Sequence, residues 1–115
     1  DNTNTTISNS QTNTQTVSGT GNTLTITNSG AIQVSSGAAL DFQNGSSTST
    51  FINHGSITSN QNAAGIKIGD PNNGGATIET FINSGTIGNN SSKFGIKMWK
   101  GSTIDNLSNS GTIQA

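Results

Sequence analysis

The chain has 115 residues, enough for one domain, with four Lys, five acidic residues, no Arg and a formal charge of −1. So few, scattered cations cannot form the basic stripe that neutralises nucleic-acid phosphates, and no apolar run approaches the ~20 residues needed to span a bilayer. Cysteine is absent, which removes thiol chemistry, disulfides and Cys-ligated zinc.

Asn, Ser and Thr supply 52 residues, whereas Leu, Ile, Val and Phe supply 22, and 13 of those are Ile. Near-neutrality argues against the expanded, self-repelling chain that so low an apolar fraction would otherwise suggest. β-branched Ile favours strands, so the composition predicts a β-rich protein with a thin core.

In chain order, residues 1–22 fit the later pattern least well. Ile7-Ser8-Asn9-Ser10 echoes Leu107-Ser108-Asn109-Ser110, but it lies too close to Gly30 for a full coil. That stretch is expected to be a partial first coil or an N-terminal cap, with Val17 as its core residue. From residue 23 to 115 one motif recurs: LTITNSGAI, TFINHGSI, TFINSGTI and NLSNSGTI. Its glycines, Gly30, Gly55, Gly85 and Gly111, are spaced by 25, 30 and 26 residues. Four residues before each stands Ile26, Phe51, Phe81 or Leu107, and two residues after each stands Ile. Two residues before each stands Asn28, Asn53, Asn83 or Asn109.

A second motif lies between copies of the first: Ala38-Ala39-Leu40-Asp41-Phe42, Ala64-Gly65-Ile66-Lys67-Ile68 and Phe94-Gly95-Ile96-Lys97-Met98. Apolar residues flanking one charged residue are the period-two signature of a half-buried strand. Each period then holds about three short strands, around the second glycine near residues 48–52, 56–58 and 64–68. Short strands at this spacing, with no helical period, predict an all-β, right-handed parallel β-helix (a β-solenoid) of about three to four coils of 25–30 residues. Equivalent residues would stack in columns: Ile26/Phe51/Phe81/Leu107, Ile32/Ile57/Ile87/Ile113, Leu40/Ile66/Ile96 and Phe42/Ile68/Met98. The glycines would supply positive φ at sharp turns, and the asparagines a hydrogen-bonded ladder between coils.

These Asn-Ser-Gly-Thr-Ile repeats, the Ser/Thr/Asn/Gly bias and the missing Cys resemble the passengers of bacterial autotransporters, the type V secretion proteins. Within that group FINSGTI and GIKI look most like vacuolating-cytotoxin-like and related adhesin passengers. The resemblance covers about residues 20–115. It implies export across the outer membrane to the bacterial surface or beyond, with membrane attachment only through a C-terminal barrel that this sequence lacks. The chain stops at Ala115 just where another coil would begin, so it is expected to be a fragment of a longer passenger.

Few residues suggest chemistry. His54 is the only histidine and takes the turn position of Ser29, Ser84 and Ser110, so it is expected to point outward from a structural turn. Glu79 and Asp105 each stand six residues before their glycine and would be neighbours on adjacent coils. Asp41 and Lys67 would form a surface ion pair. Asp70-Pro71-Asn72-Asn73-Gly74-Gly75 carries several oxygen ligands but not the spacing of calcium solenoids. Thr23, Thr25 and Thr27 form a Thr-x-Thr pattern like that of ice-binding arrays, but it does not recur in later coils. No catalytic residue, metal site or cofactor is expected. The expected function is structural and adhesive, with Trp99 and the loops around Asn72 and Asn90 as binding candidates. Partners would be a host-cell or matrix protein, a glycan, or other copies of the chain, held with little salt dependence. The alternative is a glycan-processing β-helix enzyme or toxin segment.

Overall fold

The computed structural model describes residues 4–60, 63–89 and 92–115. The chain winds through three faces in turn, and every named strand pairs in parallel with its equivalent one coil away. The first coil contributes Asn4–Ile7 (β1), Ser10–Gln11 (β2) and Gln15–Val17 (β3), and the second Asn22–Ile26 (β4), Ala31–Val34 (β5) and Leu40–Phe42 (β6). Ser47–Asn53 (β7), Ser56–Ser59 (β8) and Ala64–Ile68 (β9) form the third. Thr77–Asn83 (β10), Thr86–Ile87 (β11) and Phe94–Met98 (β12) form the fourth, and Thr103–Asn109 (β13) and Thr112–Ile113 (β14) begin a fifth. The first sheet runs β1-β4-β7-β10-β13, the second β2-β5-β8-β11-β14 and the third β3-β6-β9-β12. The protein is a β-solenoid of about four turns.

The core is a set of columns running along the stack. Ile32, Ile57, Ile87 and Ile113 are in register in the second sheet. Leu40, Ile66 and Ile96 form one column of the third sheet, and Phe42, Ile68 and Met98 another. In the first sheet Leu24, Phe51, Phe81 and Leu107 stack. Phe42 meets Phe51 edge to face at 5.4 Å between ring centroids, and Phe51 meets Phe81 at 4.8 Å. Most buried positions thus meet apolar neighbours one coil away, which is how so few apolar side chains suffice, while Met98 and Leu107 in the last strands of their columns are exposed.

Two expectations for the second coil are corrected. Leu24, not Ile26, is the residue that stacks on Phe51, and Ile26 pairs with Asn53. Asn28 is therefore outside the asparagine column and is exposed. The cause is a turn two residues longer than those of later coils: Ile26 and Ala31 are paired with Asn53 and Ser56. The extra length is taken up in a tight turn closed by the Gly30 amide on the Thr27 carbonyl at 2.9 Å. The Asn-x-Gly motif of this coil is intact and carries no sign of the longer turn.

The role of the column glycines is also different from the expectation. Gly30, Gly55, Gly85 and Gly111 are not among the positive-φ glycines. A Cβ on Gly85 or Gly111 would lie 2.1 Å from the carbonyl oxygen of the preceding column glycine. Glycine is required there because backbones of successive coils approach too closely for any side chain.

Residues 4–17 place one short strand in each sheet. Ile7 is buried beneath Ile26, while Val17 is partly buried under Phe42. The coil is short, with strands of two to four residues.

Candidate functional site

Because columns alternate inward and outward along each strand, the outer surface is also organised in rows. The second motif brings one outer region together on the third sheet. Ala38, Ala63 and Ala64, from the second and third coils, keep its floor low. On the fourth coil the register position of Ala64 is taken by Phe94, and Trp99 follows the end of β12. Large rings beside small side chains make a step, and the step bounds a groove of about 390 Å³. That volume falls in the roughly 300–1,000 Å³ range of small-molecule sites.

Lys67, Lys93 and Lys97 complete the lining, so three of the four lysines of the chain meet here. The sequence had suggested scattered cations; stacking of coils gathers them. Lys97 and Lys67 are register partners on adjacent strands. The Lys97 ammonium lies 4.5 Å from the centroid of the Phe94 ring and 4.8 Å from that of Trp99. Lys93 approaches the Phe94 ring at 5.7 Å. These cation–π contacts hold the Lys97 head between two rings rather than free in water. Trp99 itself is half-buried, and its amide is tied to the Ile68 carbonyl at 2.9 Å.

The charged column beside the groove is arranged differently from the expected Asp41–Lys67 ion pair. Lys67 instead meets Asp70 at 3.8 Å, a half-exposed contact of little energetic weight. Burial pushes the Asp41 carboxyl above its usual range, Lys67 opposes that rise, and nearby Asp70 adds to it. Its Oδ1 is buried without a hydrogen-bond partner.

The loop of Asp70 to Gly75 closes on itself. Asp70 and Gly74 form an antiparallel bridge, and Asp70 Oδ1 accepts from the amides of Asn72 at 2.8 Å and Asn73 at 3.2 Å. A carboxylate so engaged by its own loop and by Lys67 organises the turn. Among the described residues no three His, Cys, Asp or Glu side chains come together as a metal site. Asn72 is exposed on this loop and does not line the groove with Trp99. Asn90, the third binding candidate, lies outside the described residues.

The remaining titratable residues are dispersed. His54 is exposed and its Nδ1 lies 2.5 Å from the Ser84 hydroxyl, one coil away. Ser84 lies on a turn stacked on that of His54. Glu79 and Asp105 are neighbours on β10 and β13, between the pairs Ile78–Ile104 and Thr80–Asn106. Both are exposed on the outer face of the first sheet. That face also carries a row of Thr23, Thr50 and Thr80 which the changed register assembles. The adjacent outward row is Thr25, Ile52 and Ile82, so paired threonines do not continue past the second coil.

The asparagine column is structural in its geometry. Asn53 Nδ2 donates to Asn83 Oδ1 at 2.9 Å, and Asn83 Nδ2 donates to Asn109 Oδ1 at 2.8 Å. The same amides reach the Thr86 and Thr112 carbonyls, while the Oδ1 atoms of Asn53 and Asn109 accept from the amides of Gly55 and Gly111. Asn53 and Asn83 are fully buried and hydrogen-bonded within the stack.

Among the described residues no helix is long and apolar enough to cross a membrane. No known family, curated protein or solved structure matches this chain. What fold and surface define is a β-solenoid repeat protein with a lysine-and-aromatic groove on its third face.

Proposed function

We propose that the chain is a structural and adhesive segment of a bacterial autotransporter passenger, displayed at the cell surface or secreted through the outer membrane. One observation carries this reading: the groove at Phe94, Lys97 and Trp99 sits on the outer face of a stack whose core residues and asparagine column point inward. A repeating stack holds such a surface patch at a fixed place along its length, and copies along a longer array or on many molecules add avidity to a weak contact. The resemblance of the Asn-Ser-Gly-Thr-Ile repeats to vacuolating-cytotoxin-like and adhesin passengers supports the same reading and extends it to a role in virulence. Partners are host-cell or matrix proteins or glycans, and copies of the chain itself.

The test is retention of host cells or matrix-coated beads by the immobilised chain. Trp99→Ala should lower retention while leaving the far-UV circular dichroism unchanged. Hydrolysis of a polysaccharide or ester by the purified chain, abolished by Glu79→Gln, Asp105→Asn or His54→Ala, would replace the adhesive reading with an enzymatic one.

A further inference from the structure

We infer that the groove on the third sheet binds an acidic sugar, with its carboxylate or sulfate on Lys97 and its apolar ring face against the alanine floor beside Phe94 and Trp99; this rests on the adhesive reading. Charge points to the ligand's sign. The lining residues include three lysines and no acid. Lys67 is partly matched by Asp70, which leaves Lys93 and Lys97 as the dominant charges. Lys97 is also oriented in advance, since two rings flank its ammonium and reduce its contact with water. An anion arriving there meets a cation already positioned beside apolar walls.

The walls point to a sugar rather than a peptide. Aromatic faces and an alanine floor suit the C–H faces of a pyranose, and ammonium groups donate to its hydroxyls as well as to its acid. A peptide that docks by adding a strand to a sheet needs a free strand edge to pair with. Along this floor the backbone groups already pair between coils: Ala39 N with Gly65 O, Lys93 N with Ala63 O, and Trp99 N with Ile68 O. Recognition therefore falls to side chains. The gathering of lysines also reverses the earlier expectation of salt-insensitive binding, because the contact is now centred on charge.

Trp99 is the only tryptophan, so its fluorescence reports directly on this groove. The intact chain is titrated with polygalacturonate, dextran sulfate, neutral dextran and polyglutamate, with calorimetry as a second readout. The inference requires saturable binding of polygalacturonate or dextran sulfate, and which of the two binds identifies the acid. It also requires no response to dextran and roughly ten-fold weaker binding of polyglutamate. Lys97→Gln should weaken binding roughly ten-fold, as expected for losing a charged hydrogen bond, with circular dichroism unchanged. Lys93→Gln should weaken it less, and added salt should weaken it throughout.

Equal binding of dextran would remove the role of charge, and equal binding of polyglutamate would assign the groove to an acidic peptide. Silence toward all four polymers, or an unaltered Lys97→Gln, would overturn the inference. Cell retention that survives those failures leaves the adhesive reading standing. Polysaccharide binding without cell retention removes that reading and keeps the ligand assignment.

Discussion

One column of the first sheet is built in two ways. Through β1 and β4 it holds Ile7 and Ile26, and through β7, β10 and β13 it holds Asn53, Asn83 and Asn109. The lower part closes by hydrophobic contact and tolerates the longer turn after Ile26. The upper part closes by an amide ladder tied to the Asn-x-Gly turn, where each asparagine also reaches backbone groups two residues on. A buried amide is acceptable only if its partners recur in every coil, so the ladder fixes turn length where an aliphatic column does not. The neighbouring column follows the same division, with Leu24 below and the Phe51–Phe81 stack above.

The largest effect expected from breaking this contrast is at Phe81. Phe81→Ala removes a fully buried ring lying against Phe51, and should cost about 3–5 kcal/mol. Leu24→Ala should fall near the low end of the roughly 2–5 kcal/mol range for such truncations. Leu24 borders an open cavity of about 140 Å³ shared with Ile7, Val17 and Leu40, where packing is already incomplete. Urea denaturation midpoints compare the two. Equal losses would show that lower and upper coils are packed alike.

The sequence made the coil, its three strands and most columns legible, because a stacked repeat writes its register as periodic spacing. Strands expected near residues 48–52, 56–58 and 64–68 are found at Ser47–Asn53, Ser56–Ser59 and Ala64–Ile68. The second coil misled for a physical reason: Asn28 keeps the local motif, while the longer turn moves Ile26 into the register place of Asn53. Residues 4–17 fit the pattern least well because their strands are only two to four residues long. At the candidate site, Trp99 was legible as the only tryptophan, near a strand end. The groove was not, since it depends on Phe94 standing in line with Ala64, and on Lys67, Lys93 and Lys97 meeting across coils. That Lys97 and Lys67 share one column was the available signal.

A smaller effect separates the two ways of closing the column. Asn83→Ala deletes both ladder bonds, from Asn53 and to Asn109, together with the bond to the Thr112 carbonyl. Asn53 keeps its contact with the Thr86 carbonyl, which limits the damage. The expected cost is about 2 kcal/mol, within the range for leaving buried polar groups unpaired. Ile26→Val trims one methylene from the aliphatic part of the column and should cost roughly 1 kcal/mol. The sharper distinction is in the amides: Asn83→Ala frees Asn109 Oδ1, which the Gly111 amide bonds, and should speed hydrogen exchange at Gly111, whereas Ile26→Val should not. Unchanged exchange in both would mean the ladder does not fix the turns.

The smallest effect concerns Asp41, where neither kind of column operates. Its carboxyl stands in line with Lys67, and its Oδ1 is buried without a partner. Burial, reinforced by Asp70 and opposed by Lys67, raises its pKa above 3.8. Between 3.8 and that raised value the folded chain holds more protons at this site than the unfolded chain. Stability from this group is therefore complete below 3.8 and is lost as pH rises through the folded pKa. Asp41→Asn removes the half-buried charge while keeping the shape. The melting temperature should rise by a few degrees at most at neutral pH, and the gain should shrink toward zero well below 3.8. Comparing variant and parent at each pH cancels the titration of the other carboxylates. A lower melting temperature for Asp41→Asn at neutral pH would show that attraction to Lys67 outweighs burial, and that the charged column contributes to holding the third sheet together.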